Sequence, residues 1–152
     1  MIRVQAEDFD MGAEISLLTR GGTSIGGVCA FAGLVRDFGG EGGAMTLEHY
    51  PGMTEKALAD IEAAAQARWP LEKTLIIHRY GRLQPGDNIV LVIAASAHRQ
   101  AAFEACHFLI DWLKTKAPFW KQEETTAGAH WVEAKSSDDA ATEKWSRPEG
   151  KE

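Results

Sequence analysis

LIIHRYGRLQPGDNIVLVIAA, residues 75–95, decides how this chain is read. Leu75–Tyr80 and Ile89–Ala95 are apolar runs of strand length, and Pro85-Gly86-Asp87 in the GRLQPGD between them is turn chemistry, so the two runs are expected to pair as a hairpin. Ser96 then stands where a helix N-cap belongs. Ala102, Cys106, Leu109, Ile110 and Leu113 follow at helical spacing and predict a helix over residues 97–116, stopped by Pro118. Upstream, SIGGVCAFAGLVR (Ser24–Arg36) has no helical stripe and reads as a buried strand. After the glycine-rich FGGEGGA of residues 38–44, Thr46–Tyr50 resumes an extended pattern. Thr54 is the expected N-cap of a helix through Leu58, Ile61, Ala65 and Trp69 that ends before Pro70. The order strand, helix, hairpin, helix predicts one α+β domain over residues 1–152, with about residues 136–152 as a tail.

Bulk composition narrows the function. With 45% hydrophobic and 25% charged residues, the chain can bury one ordinary core. It holds no apolar run of about eighteen residues, and its start, MIRVQAEDFD, is acidic where a secretory signal is basic and then apolar, so a cytoplasmic location and no membrane are expected. Cys29 and Cys106 form no C-x-x-C pair and are expected to pack as small hydrophobes. A net charge of -6 argues against a nucleic-acid partner, because neutralising phosphates takes a basic surface. Any cationic site must therefore be local.

Three places could supply one. Ser96-Ala97-His98-Arg99 puts cations in a first helical turn, where the helix dipole favours anions, so the turn is suited to a bound phosphate or carboxylate; a solvated Arg99 is the plainer explanation. In LKTKAPFWKQE (Leu113–Glu123), Lys114 follows a core position at the border of an aromatic segment, and Lys121 follows Trp120. A lysine in such a setting can be tuned for proton transfer or covalent chemistry, although lysines also suit helix C-termini for dipole reasons, which is the reading given to Lys116. Arg36 ends a buried strand beside the glycine cluster, equally a binding position or an ordinary surface cation. His49 and His78 fall inside strands and are read as sheet or core histidines. No histidine pair has zinc-ligand spacing, so no metal is expected, and the glycine cluster lacks the Gly-Lys-Ser/Thr of a phosphate-binding loop.

Five stretches in order, FAGLVR (Phe31–Arg36), LEHYPGM (Leu47–Met53), IHRYG (Ile77–Gly81), SAHR (Ser96–Arg99) and LKTKAPFWKQE (Leu113–Glu123), resemble the molybdopterin synthase catalytic subunit family, and the match runs from about residue 24 to the WVEA of residues 131–134. The resemblance implies an α/β-hammerhead-type fold with an added antiparallel β subdomain. It implies conversion of cyclic pyranopterin monophosphate (precursor Z) to molybdopterin, with sulfur delivered as a thiocarboxylate on the C-terminus of a small ubiquitin-like carrier. A homodimer at the core of a heterotetramer is implied, with neither cofactor nor metal. Lys114 is implied as the principal catalytic lysine, Lys121 as its support, and Arg36, His98 and Arg99 as the substrate pocket. Lys135 stands where the family suggests an arginine, and a lysine cannot reproduce a bidentate contact. Two other classes remain open: a non-catalytic module that captures the tail of a ubiquitin-like protein, and, ranked last, a generic nucleotide-binding enzyme.

Overall fold

The computed structural model describes residues 1–37, 43–125, 128–132 and 136–146. Along the chain run β1 (Ile2–Gln5), α1 (Met11–Thr19), β2 (Gly27–Leu34), β3 (Ala44–His49), α2 (Met53–Arg68), β4 (Leu71–Arg79) and β5 (Gly81–Leu83). They are followed by β6 (Asn88–Ser96), α3 (Arg99–Lys116), β7 (Phe119–Thr125), β8 (Gly128–Val132), α4 (Ser136–Glu143) and a 3-10 turn at Lys144–Ser146. Two four-stranded sheets result, one ordered β1-β4-β6-β2 and the other β5-β3-β7-β8.

The expected hairpin is the centre of the first sheet: β4 and β6 pair antiparallel, with Leu75 opposite Ile93 and His78 opposite Val90. Every residue of β6 after Asn88 is buried, and a strand without a polar face must be covered on both sides. Alternation divides the cover. Ile76, Val90, Val92 and Ala94 meet Leu58, Ile61 and Ala65 of α2 and Ala105, Cys106, Leu109 and Leu113 of α3. Leu75, Ile77, Leu91, Ile93 and Ala95 face the other way, onto Phe9 and Leu18 beneath α1. Each such aliphatic side chain contributes about 1.5–3 kcal/mol of burial, an upper figure because the unfolded chain already hides part of that area.

The turn between the two strands holds more than a turn. At Gly81, whose φ is +96°, the chain leaves the first sheet and adds β5 to the second, pairing with β3. Only then does it reverse, with Asp87 N–H donating to Gln84 O at 3.0 Å and Gly86 at φ +90°. The second sheet is antiparallel throughout. The α+β expectation, a hammerhead-type domain with an added antiparallel sheet, describes what is seen.

Several boundaries differ from the sequence reading. Gly52, not Thr54, caps α2; its φ of +85° suits glycine, and Glu55 Oε2 accepts its N–H at 2.6 Å. Thr54 lies inside the fold instead. Its Oγ1 accepts from Tyr50 N–H at 2.9 Å and donates to Pro118 O at 3.0 Å. Ser96 is likewise not the cap of α3: it is the last residue of β6, fully buried, with Oγ donating to Pro70 O at 2.8 Å, and His98 takes the cap position. The β1–α1 unit was not foreseen, because Asp10, which accepts Ala13 N–H, opens a helix of only nine residues with one buried side chain, Leu18. The sequence also leaves residues 136–152 as a tail. Residues 136–146 are helical, and Trp145 docks by donating its indole N–H to Asp111 Oδ2 at 2.7 Å while its carbonyl accepts from Arg68 at 2.8 Å.

Candidate active site

Helix α3 runs back along β6, and its two ends carry different chemistry. At its start Gly26 and Gly27 allow β2 to approach the helix backbone: a Cβ on Gly26 would lie 2.1 Å from Ala97 O, and one on Gly27 would lie 3.2 Å from the Arg99 Cα. His98 and Arg99 emerge there, both exposed, with no acidic residue in the first turn and no side-chain cap. The anomaly read from SAHR is thus real in geometry. At the other end lies Lys114, exposed on the last turn, just beyond the buried Leu113. Along α3, Arg99 and Lys114 are separated by about 22 Å of helix, so one chain alone does not join His98 and Arg99 to Lys114.

Lys121 does come to the Lys114 end. After α3 the chain turns through Ala117 and Pro118 directly into β7, where Phe119, Lys121 and Glu123 stand opposite His49, Leu47 and Met45. Leu47 and Met45 are buried, so this is the inward face, and Lys121 is held at its margin beside Glu123, Nζ to Oε1 3.6 Å. Arg36 reaches the same end by another route. β2 is antiparallel to β6, with Gly27 opposite Ser96 and Leu34 opposite Asn88, and Val35 N–H donates to Asp87 O at 2.9 Å. Arg36, exposed just beyond, therefore shares the Asn88 end with the C-terminus of α3. By topology Arg36, Lys114 and Lys121 belong to the end of the fold marked by Asn88, and His98 and Arg99 to the end marked by Ser96.

Two histidines set aside as sheet residues lie at the Asn88 end. His78 shares the helix-facing side of β4 with Ile76, is 5% exposed, and stacks on Phe119 with ring centroids 3.7 Å apart and planes 19° from parallel. Its Nδ1 is 2.8 Å from Arg79 O, an acceptor, so Nδ1 carries the hydrogen and Nε2 the lone pair. Burial drives its pKa down to about 3, against the help of that carbonyl, and the charges of Lys114 and His49 push it further the same way. His78 is therefore a neutral ring within electrostatic reach of Lys114. His49 stacks on Tyr80 at 4.3 Å and lies 3.8 Å from Glu55 Oε1. The signal that could have found this ring was the period of two in β4, which puts His78 on the same face as Ile76, together with its place just before the strand crosses between sheets.

Lys116, read as solvated, is exposed, its ammonium 5.6 Å from the Trp112 ring centroid. Cys106 is packed as a small hydrophobe, its thiol pushed well up by burial and then by Cys29, which leaves it protonated and unreactive. Among the described residues no group of three or more His, Cys, Asp or Glu could hold a metal ion. Among the described residues no helix is long and apolar enough to cross a membrane. Lys135 and glycines 39, 40 and 42 lie outside the described residues.

Comparison with known proteins gives the family. The chain is 58% identical over 146 residues to a molybdopterin synthase catalytic subunit of Pseudomonas aeruginosa, covering 95% of this chain and 97% of that one. Its fold matches a molybdopterin cofactor biosynthesis protein E of Burkholderia multivorans with a TM-score of 0.83 at 50% identity, over 97% of each chain. A chain in a complex of subunits 1 and 2 of molybdopterin-converting factor from Helicobacter pylori, 17% identical, shares the fold with a TM-score of 0.75, covering 89% of this chain and 92% of that one. The model of the MoaE protein family matches residues 4–116, three quarters of the chain, from within β1 to the end of α3, and the chain belongs to that family.

Proposed function

We propose that this chain is the catalytic subunit of a molybdopterin synthase, transferring sulfur from the C-terminal thiocarboxylate of a small ubiquitin-like carrier to precursor Z in the cytoplasm. What supports the proposal is that the topology brings Lys114, Lys121 and Arg36 to the same end of an acidic protein, where Lys114 acts electrostatically on the buried, neutral His78 stacked on Phe119. An anionic phosphorylated substrate and a carboxy-terminal tail both require local positive charge, and low-dielectric surroundings strengthen each contact. In this reading Lys114 is the acid-base or covalent lysine and Lys121 its support, while Arg36, His98 and Arg99 hold the substrate. The chain-in-complex relative from Helicobacter pylori supports a partner of the carrier type.

The distance between the two cationic groups asks for a second copy. β2 is an edge strand with Val28, Phe31 and Leu34 exposed, a surface suited to pairing. Antiparallel pairing of β2 with its own two-fold mate would set each chain's Arg36 and Lys114 beside the other's His98 and Arg99. The strand's eight residues span about 27 Å, the same as α3, so the ends would coincide. The assembly proposed is this homodimer with a carrier on each side. Mixing the purified protein with thiocarboxylated carrier and precursor Z tests the function: dithiolene product is expected, and Lys114→Ala should abolish it with the fold intact. Carrier binding without product, in a protein that does not bind precursor Z alone, would instead indicate a tail-capturing module.

A further inference from the structure

We propose that His78 is a positioning residue that fixes the spacing of Lys114 and Lys121 by serving as the flat, neutral seat of Phe119. The inference rests on the sulfur-transfer reading of the two lysines. Lys114 ends a helix and Lys121 lies in a strand, and the short connection through Ala117 and Pro118 sets their relation. Two clamps hold that connection. One is the Thr54 hydroxyl, which donates to Pro118 O. The other is the stack of Phe119 on His78, two residues before Lys121 on the same face of β7.

The identity of the seat matters for two reasons. Its ring plane must be set, and the Nδ1–H donated to the next residue's own carbonyl, Arg79 O, does this without a partner from elsewhere in the fold. It must also stay uncharged. The cationic or titratable groups that reach it are Lys114 from α3 and His49 from β3, while its neighbour Arg79 on β4 offers it only a backbone carbonyl and β1 and β6 present Val4 and Val90 at its register position. An imidazolium here would face those charges without solvent and disperse the lysines it is meant to support.

Two measurements test the proposal. In the 15N-labelled protein, long-range proton–nitrogen correlation should show His78 with Nδ1 protonated and Nε2 bare, unchanged from about pH 5 to 9, the range in which an ordinary histidine titrates. A titration in that window would overturn the neutral seat, and this readout does not depend on the reaction. In single-turnover assays with saturating carrier, His78→Ala is expected to slow product formation by about ten- to a hundred-fold through misplacement of the lysines, leaving carrier affinity unchanged. His78→Phe, which keeps a flat neutral ring but loses the Nδ1–H bond to Arg79 O, should recover part of the rate, whereas His78→Leu, with comparable bulk but no plane, should not. Wild-type rate in His78→Ala, or equal rates in the folded Phe and Leu variants, would refute the inference. Absence of product from the wild-type protein would instead refute the sulfur-transfer reading and leave the nitrogen spectra to decide the seat alone.

Discussion

At the scale of single residues, the chemistry of this protein depends on which groups burial leaves charged. His78 titrates at about 3 when folded and near 6.5 when unfolded, so the unfolded chain binds the extra proton between those values. Its neutral form contributes stability that is complete above pH 6.5 and is lost as pH falls toward 3. The slope is at most one proton, about 1.4 kcal/mol per pH unit. Denaturant unfolding of His78→Phe should lack this component, giving a shallower loss of stability between those two pH values than the wild type shows. Among the lysines, Lys121→Ala is expected to slow product formation less than Lys114→Ala, as the supporting role of Lys121 in the sulfur-transfer reading implies. Equal losses in the reconstituted assay would contradict the assignment of Lys114 as the principal group.

At the scale of elements, the candidate site is a corner between helix α3 and strand β7, and its rigidity comes from groups that helix and strand patterns do not reveal. Thr54 is fully buried and bonded on both sides, to Tyr50 N–H and Pro118 O. Thr54→Val keeps the shape but strands both partners, and should cost about 1–3 kcal/mol in equilibrium unfolding. The other end of α3 is held by close approach. Gly26→Ala places a methyl 2.1 Å from Ala97 O, a backbone atom that cannot swing aside, and the overpacking should cost about 1–3 kcal/mol or more. Because that contact seats the first turn of α3, precursor Z binding, measured by calorimetry, should weaken in Gly26→Ala where Thr54→Val spares it.

At the scale of the whole molecule, the two cationic groups lie at opposite ends of one helix, and a two-fold partner is the simplest way to unite them. If each pocket takes His98 and Arg99 from one copy and Lys114 from the other, Lys114→Ala and Arg99→Ala are each inactive alone. Mixed and allowed to exchange subunits, they should form heterodimers with one intact pocket and regain up to about a quarter of wild-type activity, since about half the dimers are mixed and each has one working site of two. A mixture as inactive as its components would show that no residue crosses between copies.

Much of the fold was legible in the chain because local physics produces it. The two apolar runs joined by Pro85-Gly86-Asp87 pair as read, α2 and α3 follow their 3.6-residue stripes, and the motifs holding Arg36, His98, Arg99, Lys114 and Lys121 marked the cationic positions. The helix caps, the crossing at Gly81, the unit of β1 and α1, and the docking of Trp145 were not legible, since each is decided by a partner distant in sequence. The seat of Phe119 belongs with these. A histidine in a strand has no fixed charge until something covers it. Here α3 and Phe119 together remove the water that would let His78 protonate, and that is an outcome of tertiary packing alone.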